Sequence, residues 1–145
     1  MNLISNIKVA IVEDDQYYAE TLKAYIQNHL VKAGSNITFD IKHYSSAEEC
    51  INGLEKSIDI IILDYNLENT SMHLHYSGEE LLNIINGFCR DCQVIIVSGQ
   101  KDQDVAIELF RIGIYEYIEK DNDTLIRLSS TLKRAIKDKI LDHYI

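Results

Sequence analysis

Short apolar runs alternate along the chain with segments of helical period. The most apolar run, Ile58–Leu63, is nearly continuous and rich in β-branched residues. That is the pattern of a strand buried on both faces in the middle of a parallel sheet. It ends abruptly at Asp64, with Tyr65-Asn66 following. Ile7–Val12, Val94–Val97 and Ile114–Ile118 are further short apolar runs, while Ile37–His43 sets Ile37, Phe39 and Ile41 against polar neighbours. The alternation predicts a strand nearer the sheet edge. Between these runs lie five amphipathic segments. Gln16 to about Ala33 carries Ala19, Leu22, Ile26 and Leu30 on one face, with Gly34 as its stop. Ser46-Ala47-Glu48-Glu49 is a capping-box pattern opening a short helix that ends near Gly53. Ser77-Gly78-Glu79-Glu80 is a second such pattern, for a helix through Leu81, Leu82 and Ile85 to Gly87. Asp102–Arg111 buries Val105, Ala106 and Leu109 and stops at Gly113. Thr124–Leu141 carries Leu125, Leu128, Leu132, Ile136 and Ile140.

Five alternations of strand and helix imply an α/β protein, a parallel sheet with helices on both faces joined by right-handed crossovers. No repeat, low-complexity tract or linker interrupts the 145 residues, so 1–145 reads as one domain. The net charge of −9 opposes binding to phosphate backbones, which argues against nucleic acid as a direct partner. No apolar run approaches the ~18 residues of a membrane span. The start MNLISNIKVAIVEDD lacks the basic and apolar regions of a signal peptide. Three cysteines, Cys50, Cys89 and Cys92, fit a reduced chain. Together these features predict a cytoplasmic protein. Cys89-x-x-Cys92 lacks a second pair to complete a zinc site, so its simplest reading is structural, with redox sensitivity as the alternative.

On its own stretch, Asp64 is equally a loop residue and a ligand-crevice carboxylate. The other strands tip the balance. Glu13-Asp14 follows the first, Asp64 the third, Ser98 the fourth and Lys120 the fifth. A parallel sheet gathers all of these at its carboxyl edge, where open α/β sheets place ligands. Three carboxylates brought together there repel unless a cation balances them. Magnesium (Mg2+) suits the set, because it takes one or two carboxylates and leaves positions for phosphate oxygens. A metal also makes Asp64 a nucleophile towards phosphorus by neutralising charge on the incoming phosphoryl group. Lys120 would balance the phosphoryl oxygens and Ser98 would hydrogen-bond one of them.

At these residues the chain resembles the receiver domain of two-component response regulators. The matching pieces are VAIVEDD at Val9–Asp15, IIILDYN at Ile60–Asn66, SGEELL at Ser77–Leu82, VIIVSG at Val94–Gly99 and YIEK at Tyr117–Lys120. The resemblance implies a flavodoxin-like, doubly wound sheet of five strands in the order 2-1-3-4-5, with five helices. It makes Asp64 the phosphoacceptor and Glu13 and Asp14 the acidic pair. The backbone carbonyl of Asn66 becomes a further metal ligand, Ser98 the switch hydroxyl, Tyr117 the switch aromatic and Lys120 the phosphate-binding lysine. It also implies a sensor histidine kinase or histidine phosphotransfer protein as donor. A downstream output domain or partner, or a homodimer through the last helix–strand–helix face, would receive the signal.

The chain departs from the family pattern in several places. Glu68 stands where a proline usually follows the phosphoacceptor. The connection from Asp64 to Gly78 is long and holds Met72, His73, His75 and Tyr76, and the segment from His29 to Ser45 is also extended. His73-x-His75 reads as an idiosyncratic loop, since no third ligand is evident. Asp121 follows Lys120 where the family has a cis proline. Two other readings compete. One is a phosphatase resembling the haloacid dehalogenase superfamily. Asn66 opposes it, because it cannot exchange a proton at the acid–base position, and so does the order of acidic pair and nucleophile. The other is an interaction module that uses the fold without phosphorylation.

Overall fold

The computed structural model of the protein describes residues 5–30, 36–65, 78–99 and 101–142. Each apolar run becomes a strand: β1 (Ser5–Val12), β2 (Ile37–Tyr44), β3 (Ile60–Asp64), β4 (Gln93–Ser98) and β5 (Glu116–Glu119). They form one parallel sheet in the order β2-β1-β3-β4-β5, as the resemblance implies. The alternating strand β2 lies at an edge, and the continuous run of β3 lies at the centre. Ile60, Ile61, Ile62 and Leu63 are at most 2% exposed, so both faces of β3 are covered. Burial of each such side chain contributes about 1.5–3 kcal/mol.

Helices α1 (Gln16–His29), α2 (Ala47–Gly53), α3 (Gly78–Phe88), α4 (Gln103–Ile112) and α5 (Thr124–Asp142) cover the two faces. Strand periodicity divides the core accordingly. Val9, Ile11, Ile60, Ile62, Ile95 and Val97 pack with residues of α1 and α5. Ala10, Val12, Ile61, Leu63, Val94 and Ile96 pack with residues of α2, α3 and α4. The doubly wound arrangement leaves the carboxyl ends of the strands free of helix cover at one edge.

The helix signals act as caps. Asp15 caps α1, its side chain accepting from the Tyr18 N–H. Ser46 caps α2 by accepting from Glu49 N–H, while the Glu49 carboxylate reaches back to Ser45 N–H. Gly113 ends α4 at φ 119, a left-handed geometry that suits glycine. Some boundaries differ from the sequence expectation. Helix α1 stops at His29, where Leu30 donates its N–H back to Ile26, and Ala33 and Gly34 lie outside the described residues. Helix α3 runs through Gly87 to Phe88, because one glycine costs a helix only about 1 kcal/mol. Strand β5 starts at Glu116, not Ile114: Ile114 packs into the core from the preceding turn, and Tyr115 N–H bonds to Val94 O. Ser77, the expected cap of α3, is outside the described residues.

Cys89 and Cys92 do not stay as free thiols; a disulfide joins them, and Cys50 alone is free. The reduced state expected from an odd cysteine count is corrected here. The turn between α3 and β4 brings the two Cα atoms to 5.5 Å, a separation that permits the bond.

Candidate functional site

The carboxyl edge is assembled by strand pairing. Val12 is in register with Leu63, so Glu13 and Asp64 leave neighbouring strands side by side. Ser98 pairs with Glu119 at the ends of β4 and β5, and Lys120 follows immediately. Its N–H bonds to Ser98 O at 2.7 Å, which ties the lysine loop to β4. Glu13 is held on both sides of its peptide: its N–H bonds to Tyr44 O, and His43 Nε2 donates to its carbonyl at 2.7 Å.

Lys120 reaches between the two buried acids. Its Nζ lies 3.1 Å from Glu13 Oε1 and 3.4 Å from Asp64 Oδ2. Beneath it, the Tyr18 ring centroid is 4.7 Å from the ammonium. Oxygens of Glu13, Asp14 and Asp64 all fall within 4.8 Å of one another, with Asp14 exposed and the other two buried. Burial pushes the Glu13 carboxyl up to about 8, helped by Asp64 and opposed by Lys120. Burial alone would lower Lys120, but the carboxylates of Asp64 and Glu13 outweigh it and hold the ammonium above the ordinary lysine value.

The donor set fits a divalent cation. Glu13 Oε2 is buried with no hydrogen-bond partner, an expensive state for a carboxylate oxygen unless a cation or proton meets it. Asp14 offers the exposed approach and Asp64 the third carboxylate. An all-oxygen donor set with one member exposed to solvent suits a hard ion such as magnesium.

Ser98 is fully buried at the end of β4. Tyr117 is half-buried on the α2–α4 side of the sheet, where it packs against the second core cluster. Its register partner is Ile96, two residues before Ser98, so the hydroxyl and the ring share one face of adjacent strands. The Asn66 carbonyl lies outside the described residues, as do Glu68, Met72, His73, His75 and Tyr76. The loop after Lys120 needs no proline. Every peptide bond among the described residues is trans, and the buried Thr124 hydroxyl accepts from Asp121 N–H at 2.7 Å while lying 2.9 Å from Glu119 O. Arg127 clamps the same turn through Asp121 at 2.6 Å.

Two contributors escaped the sequence reading. Tyr18 precedes Leu22 by one helical turn, a spacing that marks it as inward-facing. The lysine it meets is more than a hundred residues away, so no local signal identifies that contact. His43 is the last polar residue of an edge strand, and only the β1–β2 pairing takes it to Glu13.

A doubly wound parallel sheet with a lysine-balanced acidic cleft at its carboxyl edge defines a flavodoxin-like α/β domain. Residues 9–132 match the family model described as the response regulator receiver domain, and the chain belongs to that family, whose setting is two-component signalling. It is 30% identical over 136 residues to a Rickettsia felis protein named as an NtrX-like response regulator, covering 91% of this chain and 25% of that protein. The chain thus spans about a quarter of the length of the curated relatives it matches. Among solved structures, the signal receiver domain of a Luxo repressor protein from Vibrio parahaemolyticus is similar, with TM-score 0.72 and 28% identity over 94% of this chain and 97% of that one. A response regulator receiver domain from Clostridium thermocellum is similar at TM-score 0.71 and 25% identity, covering 93% and 98%. Membership of this family sets aside the dehalogenase-like phosphatase.

Proposed function

We propose that this chain takes a phosphoryl group onto Asp64 from a kinase phosphohistidine and switches an interaction surface in response. The observation that carries the reading is the buried Asp64 carboxylate facing the Lys120 ammonium at 3.4 Å, beside Glu13 and Asp14. An Asp64 oxygen attacks phosphorus, a P–O bond forms and the P–N bond to the donor imidazole breaks. Lys120 is placed to follow the charge from the carboxylate to the phosphoryl oxygens. Glu13, Asp14 and Asp64 would hold Mg2+, with the Asn66 carbonyl as a further ligand. The ion supplies charge neutralisation for the anionic nucleophile and the anionic phosphoryl group. The Ser98 hydroxyl donates to a phosphoryl oxygen, and Tyr117, on the same face of β5, moves with it. The chain's own chemistry is confined to phosphorylation and dephosphorylation of Asp64, without turnover of a separate substrate.

The partners are a sensor histidine kinase or phosphotransfer protein and a downstream output domain. A homodimer through α4, β5 and α5 is a further outlet, supported by the exposed Ile107, Phe110 and Ile126. We place the protein in the cytoplasm, where such kinases present phosphohistidine; no helix among the described residues is long and apolar enough to cross a membrane. Incubation with magnesium and acetyl phosphate should add one phosphoryl mass to the chain. Asp64→Asn should abolish that gain and Asp15→Asn should retain it, because Asp15 serves as the α1 cap. A mass gain that survives in Asp64→Asn would place the acceptor elsewhere.

A further inference from the structure

At the amino-terminal end of the sheet, opposite the acidic site, the Cys89–Cys92 disulfide closes the turn from α3 into β4. Cys89 is buried. Cys92 is half-buried and lines an open cavity of about 1000 Å3 with Lys8, Lys56, Arg90, Lys139 and the carboxylates Asp59 and Asp91. Four cations and two acids line this cavity, and Lys8 also pairs with Glu55 at 3.7 Å, so a single positive charge remains in excess on a chain of net charge −9. Both sulfurs lie against the backbone just before β3. Cys92 Sγ is 3.2 Å from Ile58 O, and Cys89 Sγ is 3.5 Å from the same oxygen and 3.7 Å from Lys56 O. A disulfide has no S–H to donate. As two thiols, Cys92 can donate to Ile58 O and Cys89 to Lys56 O, so the same backbone accommodates either state.

We propose that Cys89 and Cys92 form a reversible thiol–disulfide site that exchanges with a small anionic disulfide of the glutathione class, admitted through the cation-lined cavity. The more accessible Cys92 loses its thiol proton to water, and its thiolate attacks one sulfur of the oxidant. The oxidant's S–S bond breaks, and one small thiolate leaves and is protonated. Cys89 then loses its proton and attacks the Cys92 sulfur of the mixed disulfide, releasing the second small thiol. Two hydrogens and two electrons pass from the cysteine pair to the oxidant, and excess small thiol runs the exchange backwards. Lys56 and Arg90 line the same cavity as Cys92, and they are the cations an anionic disulfide meets on entering it. Cys50 takes no part. It is buried, and burial pushes its thiol up to about 12.

The site is independent of the phosphoacceptor reading, and the test keeps the two apart. The full chain is equilibrated in mixtures of reduced and oxidised glutathione, quenched in acid, unfolded and alkylated, then weighed. Three labels are expected in excess reduced glutathione and one in excess oxidised, since Cys50 always reacts once unfolded. A count fixed at one or at three across the whole series overturns the proposal. The order of attack is read from single variants exposed to glutathione disulfide. Cys89→Ser should trap one glutathionyl group on Cys92, while Cys92→Ser should be captured roughly tenfold more slowly, or less, through the buried Cys89. Equal or faster capture in Cys92→Ser overturns the role of the cavity. Asp64→Asn should give the same label counts as the parent chain.

Discussion

Glu13 keeps its proton over a range in which an ordinary glutamate has lost it. Below about 4.5 the carboxyl is protonated in the folded and unfolded chain alike. As pH rises, the unfolded chain releases the proton while the folded chain retains it up to about 8, so the native state loses stability across that window. Denaturant titrations without divalent cation should show stability falling from the acid to the alkaline end of that window, and Glu13→Gln should flatten the slope. Magnesium replaces the proton, so its stabilising effect should grow with pH over the same range. A parent chain with no slope would mean that Lys120 compensates Glu13 fully. Tyr18 acts on the same cluster from below. The ring gives the ammonium a negative face, worth about 0.5–2 kcal/mol depending on desolvation. Tyr18→Phe should therefore keep nearly full stability in urea titrations, whereas Tyr18→Leu should lose about that amount. Equal losses in the two variants would assign the effect to the hydroxyl.

The elements matter because they fix where these residues emerge. Helix α4 starts five residues after Ser98, and Asp102 caps it by accepting from the Asp104 and Val105 N–H groups. The cap thus anchors the chain leaving β4 close to the proposed switch hydroxyl. Asp102→Ala should cost about 1 kcal/mol in urea-induced unfolding, the usual loss for an N-cap of this type. A change below a few tenths would show that tertiary packing through Leu109 alone positions α4. The turn Glu119–Thr124 serves the same purpose for Lys120. Thr124 and Arg127 brace its carbonyls and carboxylate, so side-chain hydrogen bonds do here what a fixed proline ring would do. In both places a connection near the site is stiffened by a polar side chain at or just before the start of the following helix, which suits a chain with no proline.

At the scale of the whole molecule, the sheet separates two chemistries. The acidic cluster proposed to take the phosphoryl group lies at the carboxyl edge, and the cysteine pair lies at the amino edge. Any signal must travel from Asp64 to a surface through packed elements. Ser98 and Tyr117 share one face of neighbouring strands, so on the proposed reading a Ser98 drawn towards a phosphoryl group would leave space for the ring to enter. A nearly complete switch requires about 5.5 kcal/mol of differential stabilisation, to which the Lys120 and Ser98 bonds and the ion would contribute. Adding beryllium fluoride with magnesium, a phosphoryl mimic, should move amide resonances at Tyr117 and along α4 and α5, as well as beside Asp64. Shifts confined to the loops around Asp64 would sink the coupling.

The sequence by itself determined the sheet, its parallel sense and the edge where the chemistry gathers. Those follow from periodicity and from which residue ends each apolar run, both of them local properties. The candidate site residues Asp64, Glu13, Asp14, Ser98 and Lys120 were legible because each lies at a strand's carboxyl end or within two residues after it. Element ends were less legible, as at Gly87 and Ile114, because one glycine costs a helix little and an apolar residue can pack into the core from a turn as well as from a strand. Only the tertiary structure decided the contacts that join distant segments: Tyr18 under Lys120, His43 on the Glu13 carbonyl and Thr124 closing the lysine loop. It also decided the state of the cysteines, since spacing allows a C-x-x-C bond and only the turn between α3 and β4 brings the sulfurs together. The pKa of Glu13 belongs to the same class. Its identity is written in the chain, but its proton is set by burial and by Asp64 and Lys120, which folding alone puts beside it.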